Sequence, residues 1–214
     1  MFMQDATSFR AAEKIALSLP GLTAEGQPDA CDAGILAGSL VETESGWRPV
    51  ERLARGTRVA TWDGGFRPLA AVERRRLWPA AGIEVIEVPG GALDTCSGFS
   101  LLPGQHIFLS SAVAEEVLGA EGALLPASAL AGHAGITRLP LLRPAEVITL
   151  RFAGEEIVYV NSGALVHCAA EAPAARKGAV GAGFFTVLDE ARAQAMLALV
   201  AAGALTTAEI GRAA

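Results

Sequence analysis

The sequence predicts a mainly β domain with helical extensions at both ends. Three observations carry this. From about residue 34 to 172, short runs of Val, Ile, Leu, Thr and Phe recur between Gly- and Pro-rich turns. One run alternates strictly: Val147, Thr149 and Arg151 interleave with Ile148, Leu150 and Phe152, the period of two expected of a half-buried strand. The flanks instead space their apolar residues by three and four, as helices do.

Taken in order, residues 1–33 read as an appendage. Ser8 is placed to cap a helix, and Phe9, Ala12, Ile15, Ala16 and Leu19 share one face. Leu19-Pro20-Gly21 ends it, because Pro cannot continue the ladder and Gly accepts the terminal turn. Residues 22–33 then form a linker.

The β domain spans 34–172. A strand is expected at 57–62, turning at Asp63-Gly64-Gly65. Further short strands are expected at 83–88, 99–102 and 107–109, punctuated by Pro89-Gly90-Gly91 and Pro103-Gly104. After the alternating run, Ala153-Gly154-Glu155 turns the chain into a further strand at 156–160. Gly46-Trp47-Arg48-Pro49-Val50 recurs as Gly65-Phe66-Arg67-Pro68-Leu69, which fits either two similar hairpin exits or a duplicated unit.

Residues 173–214 are expected to be a helical tail beyond an Ala/Gly linker at 172–183. Thr186 and Asp189 resemble a helix start, and Leu188, Ala191, Ala195, Leu199 and Ala202 follow helical spacing. Gly203 is expected to stop this helix, and Thr206 with Glu209 to cap a short last one. The tail packs on the β domain or on another chain.

Composition narrows the function classes. The chain has 214 residues, 51% of them apolar and 19% charged, too hydrophobic for intrinsic disorder. A chain of this length buries roughly 70% of its unfolded surface without staples. Its 17 basic and 23 acidic residues give a net charge of −6, which argues against nucleic-acid binding. Three cysteines are too few for a disulfide scaffold, so free thiols are expected. The N-terminus does not read as a signal peptide, and the longest apolar run, 195–205, is about half of the ~20 residues a membrane span needs. A cytoplasmic location without membrane contact is therefore the default expectation, with secretion independent of a signal peptide as the alternative. No Cys-x-x-Cys, His-x-x-x-His, P-loop or Gly-x-Ser-x-Gly pattern occurs, so neither metal nor cofactor is expected. Arg74-Arg75-Arg76, Glu115-Glu116 and Glu155-Glu156 read as solvated faces.

Several motifs then fall in one order. Gly38-Ser39-Leu40-Val41-Glu42-Thr43 leads into residues 46–53 and Gly56-Thr57-Arg58-Val59-Ala60-Thr61. Pro103-Gly104-Gln105-His106-Ile107-Phe108-Leu109 comes next, and Val160-Asn161-Ser162-Gly163-Ala164-Leu165-Val166-His167-Cys168 closes the series. Together they resemble the Hint domain shared by hedgehog C-terminal regions and inteins, and most of all its bacterial members. The resemblance implies an all-β fold with pseudo-two-fold symmetry.

It also implies a chemistry. Hint domains attack the carbonyl preceding their own first residue with a thiol or hydroxyl, an N-to-S or N-to-O acyl shift. A central histidine helps the amide nitrogen to leave. A closing His-Asn pair releases the C-terminal side in inteins. By this correspondence the nucleophile position is Gly34, which has no side chain. His106 matches the central histidine. His167 matches the closing histidine, but Cys168 stands where the cyclising Asn belongs. Cys31 lies three residues upstream of the nucleophile position. A register shift would bring its sulfur into the site, and the competing reading is a linker thiol without a role. Cys168 is either a thiol activated by His167 or a half-buried strand-end residue. Cys96 is expected to be small and buried, and His133 to lie in a loop.

Three functions follow as expectations. The first is a Hint-domain protein impaired or inactive in self-processing, serving as a binding or structural module for an unidentified protein partner. The second is an autoproteolytic domain cutting itself at Cys31 with help from His106. The third is an all-β ligand-binding domain forming a homodimer through residues 184–205.

Overall fold

The computed structural model describes residues 32–171 and 185–210. The N-terminal helix expected at 8–19, Cys31 and the linker at 172–183 lie outside the described residues. In chain order the strands are β1 (Ile35–Leu36), β2 (Leu40–Thr43), β3 (Gly46–Pro49), β4 (Arg58–Thr61), β5 (Gly65–Pro68), β6 (Ala71–Leu77) and β7 (Glu84–Val88). They continue with β8 (Phe99–Leu101), β9 (His106–Ser110), β10 (Gly122–Pro126), β11 (Thr137–Pro140), β12 (Ala145–Arg151), β13 (Glu156–Val160) and β14 (Ala164–Cys168). A short helix α1 (Ala112–Leu118) follows β9, and a long helix α2 (Glu190–Ile210) follows β14.

The strands form two antiparallel sheets. One runs β11-β7-β8-β1-β12-β6; the other runs β10-β9-β14-β13-β2-β4-β5, with β3 added on β2. The chain is mainly β, as its alternation and turn spacing predict. Within β12, Val147, Ile148 and Leu150 are buried while Thr149 and Arg151 are half-buried, so both faces of this central strand are covered. The hairpin expected at Asp63-Gly64-Gly65 joins β4 to β5, with Thr61 opposite Gly65.

The short repeat proves to be part of a longer structural one. β2–β3 and β4–β5 are two hairpins built alike. The Thr43 hydroxyl donates to the Gly46 carbonyl at 2.7 Å, and the Thr61 hydroxyl to the Gly65 carbonyl at 3.0 Å. The Val50 N–H donates to the Ser39 carbonyl at 2.8 Å, and the Leu69 N–H to the Thr57 carbonyl at 2.9 Å. Val41 and Val59 are buried in the outgoing strands, and Val50 and Leu69 just past the returning ones. Trp47 and Phe66 stand outward in both. The alignment of Gly38-Ser39 with Gly56-Thr57 extends the likeness upstream of the five residues read from sequence.

One buried amide joins the sheets. The Asn161 side chain accepts from the Leu40 N–H at 2.7 Å and donates to the Ser97 and Gly98 carbonyls, each at 3.1 Å. Asn161 and Ser162 turn β13 into β14 with positive φ, a conformation that Asn tolerates better than most residues. Buried aliphatic residues from both sheets form the main core.

The tail differs from expectation in two respects. Asp189 caps α2, its carboxylate accepting from the Arg192 N–H at 2.8 Å. However, the helix runs through Gly203 without stopping, since an interior Gly costs only about 1 kcal/mol relative to Ala. Its buried face is Ala193, Met196 and Leu197, not the row containing Leu199, which is half exposed. The helix is apolar on most sides, so spacing alone did not select a face. This face packs on the tail's own domain, against α1, β10 and the turn at Ala127–Leu130. Among the described residues no helix is long and apolar enough to cross a membrane.

Candidate functional site

The two motif histidines are brought together. His106 opens β9 and His167 lies in β14, and these strands pair with Val166 opposite Ile107. The imidazoles meet edge to face, with centroids 6.2 Å apart and planes at 85°. The Gln105 side-chain amide clasps the pair, donating to the His167 carbonyl at 2.8 Å and to the His106 carbonyl at 3.1 Å. Phe185, from the chain entering α2, packs on His167 at 6.2 Å and on Phe108 at 5.7 Å; Phe108 in turn meets Trp62 at 4.8 Å. The histidines therefore end a row of aromatic rings. The tail segment is tied down beside them, the Leu124 N–H donating to the Thr186 carbonyl and the Leu188 N–H to the Leu124 carbonyl.

This setting disfavours the charged form of both imidazoles. Burial pushes His167 down from 6.5 to about 4, and the nearby His106 and Arg151 push the same way. Burial also lowers His106. The His167 Nε2 atom is buried and has no hydrogen-bond partner. An unpaired ring nitrogen in an apolar wall is destabilising by about 1–3 kcal/mol.

The opening segment lies alongside. The Gly104 N–H, two residues before His106, donates to the Asp32 carbonyl at 2.9 Å, and the Leu102 N–H donates to the Gly34 carbonyl at 3.0 Å. Gly34 has φ +145°. A Cβ at this position would lie 2.3 Å from Val147 Cγ1 and 3.3 Å from the Ile148 carbonyl. The space for a side chain is thus occupied. Between the two ladder bonds, the Ala33 carbonyl accepts from Arg75 Nη2 at 3.0 Å. Sequence reading missed Arg75 by treating three arginines as one solvated run. Their place in β6 separates them, since neighbouring strand residues face opposite ways.

The cysteines fall differently from their sequence reading. Cys168 follows His167 in the same strand, so its side chain leaves by the other face. It is fully buried, and burial pushes the thiol up to about 12, opposite to activation by a neighbouring imidazolium. Cys96 is not buried as expected. It is an exposed free thiol in the loop before β8, where hydrogen bonds from Ser162 and Ser97 lower its pKa. Strand patterning could not place it, because it lies outside any strand. His133 lies in the turn between Leu130 and Ile136, its N–H on the Leu130 carbonyl. Among the described residues no three His, Cys, Asp or Glu side chains converge on one point, and the histidine pair supplies two nitrogen donors.

The Hint domain family model matches residues 33–167, more than half of the chain. The chain belongs to the Hint domain family. Among solved structures, the Hint chain is similar to a bacterial intein-like domain from Clostridium thermocellum at 16% identity, covering 64% of this chain and 98% of that one, with a TM-score of 0.47. It is similar to a GSH-linked, splice-inactive variant of the AceL NrdHF class 3 split intein at 14% identity, covering 65% and 99%, with a TM-score of 0.44. It is also similar to the gp41-1 intein at 13% identity, covering 63% and 98%, with a TM-score of 0.40. No curated protein matches the chain. The Hint family is related to inteins and to autoprocessing, and the match begins one residue before Gly34.

Proposed function

We propose that this Hint domain does not process its own backbone and serves as a binding or structural module. The observation that carries the reading is Gly34. It stands where the family places its nucleophile, and Val147 fills the volume a nucleophilic side chain would need. The closing histidine supports the same reading: His167 is followed by a buried thiol and not by an amide that could cyclise. The test is the intact mass of purified full-length protein, incubated with and without dithiothreitol. An unchanged mass is expected. A fragment beginning at Gly34 or Cys31 would overturn the reading.

One contact favours a second reading, autoprocessing at Cys31 with His106. The Gly104 N–H holds the Asp32 carbonyl, so the residue after Cys31 lies against the segment that leads into His106. In that case thiol treatment releases a fragment beginning at Cys31, and Cys31→Ala abolishes it.

A further inference from the structure

We infer that Arg75 is the carbonyl-binding residue of the Ala33–Gly34 junction, placed to hold the oxygen that gains charge when a nucleophile attacks Ala33. The inference rests on the family's assignment of the junction to this peptide bond.

The backbone explains why a side chain is used. Carbonyls of an extended segment point alternately to either side. Those of Asp32 and Gly34 point to residues 102–104 and are met by backbone N–H groups. That of Ala33 points the other way, beyond the end of the β1–β12 ladder, whose last pair is Ile35 with Ile148. Arg75 reaches it from β6, the strand on the far side of β12. Its cross-strand partner in β12 is Val147, the residue that fills the side-chain space of Gly34. One cross-strand pair thus controls both reacting positions: Val147 blocks the nucleophile and Arg75 binds the carbonyl oxygen. Neighbouring Arg74 is engaged elsewhere, donating to the Leu53 carbonyl. A guanidinium is a charged donor, and its hydrogen bond strengthens as the oxygen becomes negative.

Restoring a thiol exposes this role. In Gly34→Cys combined with Val147→Ala, the new sulfur attacks the Ala33 carbonyl carbon. The C–N bond to residue 34 breaks, a thioester forms, and the thiol proton goes to the leaving amine. Dithiothreitol then takes the acyl group as its own thioester and returns a proton to the sulfur.

The experiment follows intact mass in full-length protein carrying this double substitution, alone and with Arg75→Met or Arg75→Lys. Dithiothreitol-dependent cleavage between 33 and 34 is expected. Arg75→Met should slow it on the order of 100-fold, and Arg75→Lys less. Equal rates with and without Arg75 overturn the inference. So does the absence of cleavage in a double variant whose amide-exchange pattern matches the wild type. If the double variant does not fold, the Ala33 carbonyl carbon shift in the otherwise wild-type chain decides. Arg75→Met should move it upfield and leave Asp32 and Gly34 in place; no movement overturns the inference. Cleavage of the unaltered protein would instead strike the proposed function and leave Arg75's role standing.

Discussion

The opening junction and the histidine pair lie on neighbouring segments but are built in opposite ways. At the junction, the three carbonyls from Asp32 to Gly34 are all partnered, and the space beside Gly34 is filled. At the histidines, polar groups are buried at a cost: one ring nitrogen has no partner, and desolvation disfavours the charged form of both rings. The contrast separates two ways in which a site can fall silent. Filled volume is a steric block that only repacking removes. Desolvation is an energetic bias that pH or added water can reverse. The junction should therefore respond to volume changes, and the histidines to proton concentration.

The largest expected effect tests the steric side. Gly34→Ala places a Cβ against Val147 and forces a positive φ on a residue that avoids it. Overpacking costs about 1–3 kcal/mol and the backbone strain a similar amount, so a loss of about 3 kcal/mol is expected in urea unfolding. In a Val147→Ala background the penalty should shrink to the backbone share. A neutral Gly34→Ala would mean that the junction is open after all.

The energetic side gives the next largest effect. The unfolded His167 titrates near 6.5 and the folded one near 4. Between these values the unfolded chain binds the proton and the folded chain does not. Stability is thus complete above about pH 6.5 and falls as the pH drops toward 4. From pH 7 to pH 5 the loss should be about 2 kcal/mol from this group, with His106 acting in the same direction. His167→Phe extends the aromatic row and removes the titration, so its unfolding midpoint should change less between the two pH values. An unchanged pH slope in that variant would place the titration elsewhere. Phe185→Ala should act more gently. It lets water reach His167 and raises its pKa toward the ordinary value, which an NMR titration of the ring would follow.

The two regions also differ in how far they could be read from sequence. The absence of a nucleophile is visible as soon as Gly34 is aligned with the family pattern, period two marks β12, and the turn at Ala153-Gly154-Glu155 marks the start of β13. The cause of the block was not visible, because Val147 lies far along the chain and meets Gly34 only through the β1–β12 pairing. Arg75 was hidden for a related reason. A run of three arginines looks uniform until a strand assigns alternate residues to opposite faces. β6 itself went unread, since its Glu-Arg-Arg-Arg core lacks apolar alternation and its pairing with β12 defines it. Cys168 could have been read better, because the strand that carries His167 inward must turn the next residue to the other side.

The smallest effect expected concerns the two described thiols, which carry the same contrast of exposure against burial. At pH 8, iodoacetamide should modify Cys96 in the native protein and leave Cys168 untouched, as peptide mapping would show. Thiolate is the reactive form, and burial with a pKa of about 12 leaves almost none at Cys168. At Cys96 the balance is set by hydrogen bonds, the one from Ser162 being the largest. Ser162→Ala should therefore slow alkylation of Cys96 a few-fold near pH 7, while the two proteins converge at a pH where the thiol is fully ionised. A rate that falls equally at every pH would mean that Ser162 acts by shaping the loop and not by holding the thiolate. Modification of Cys168 at a rate near that of Cys96 would show that the C-terminal end of β14 opens readily to solvent.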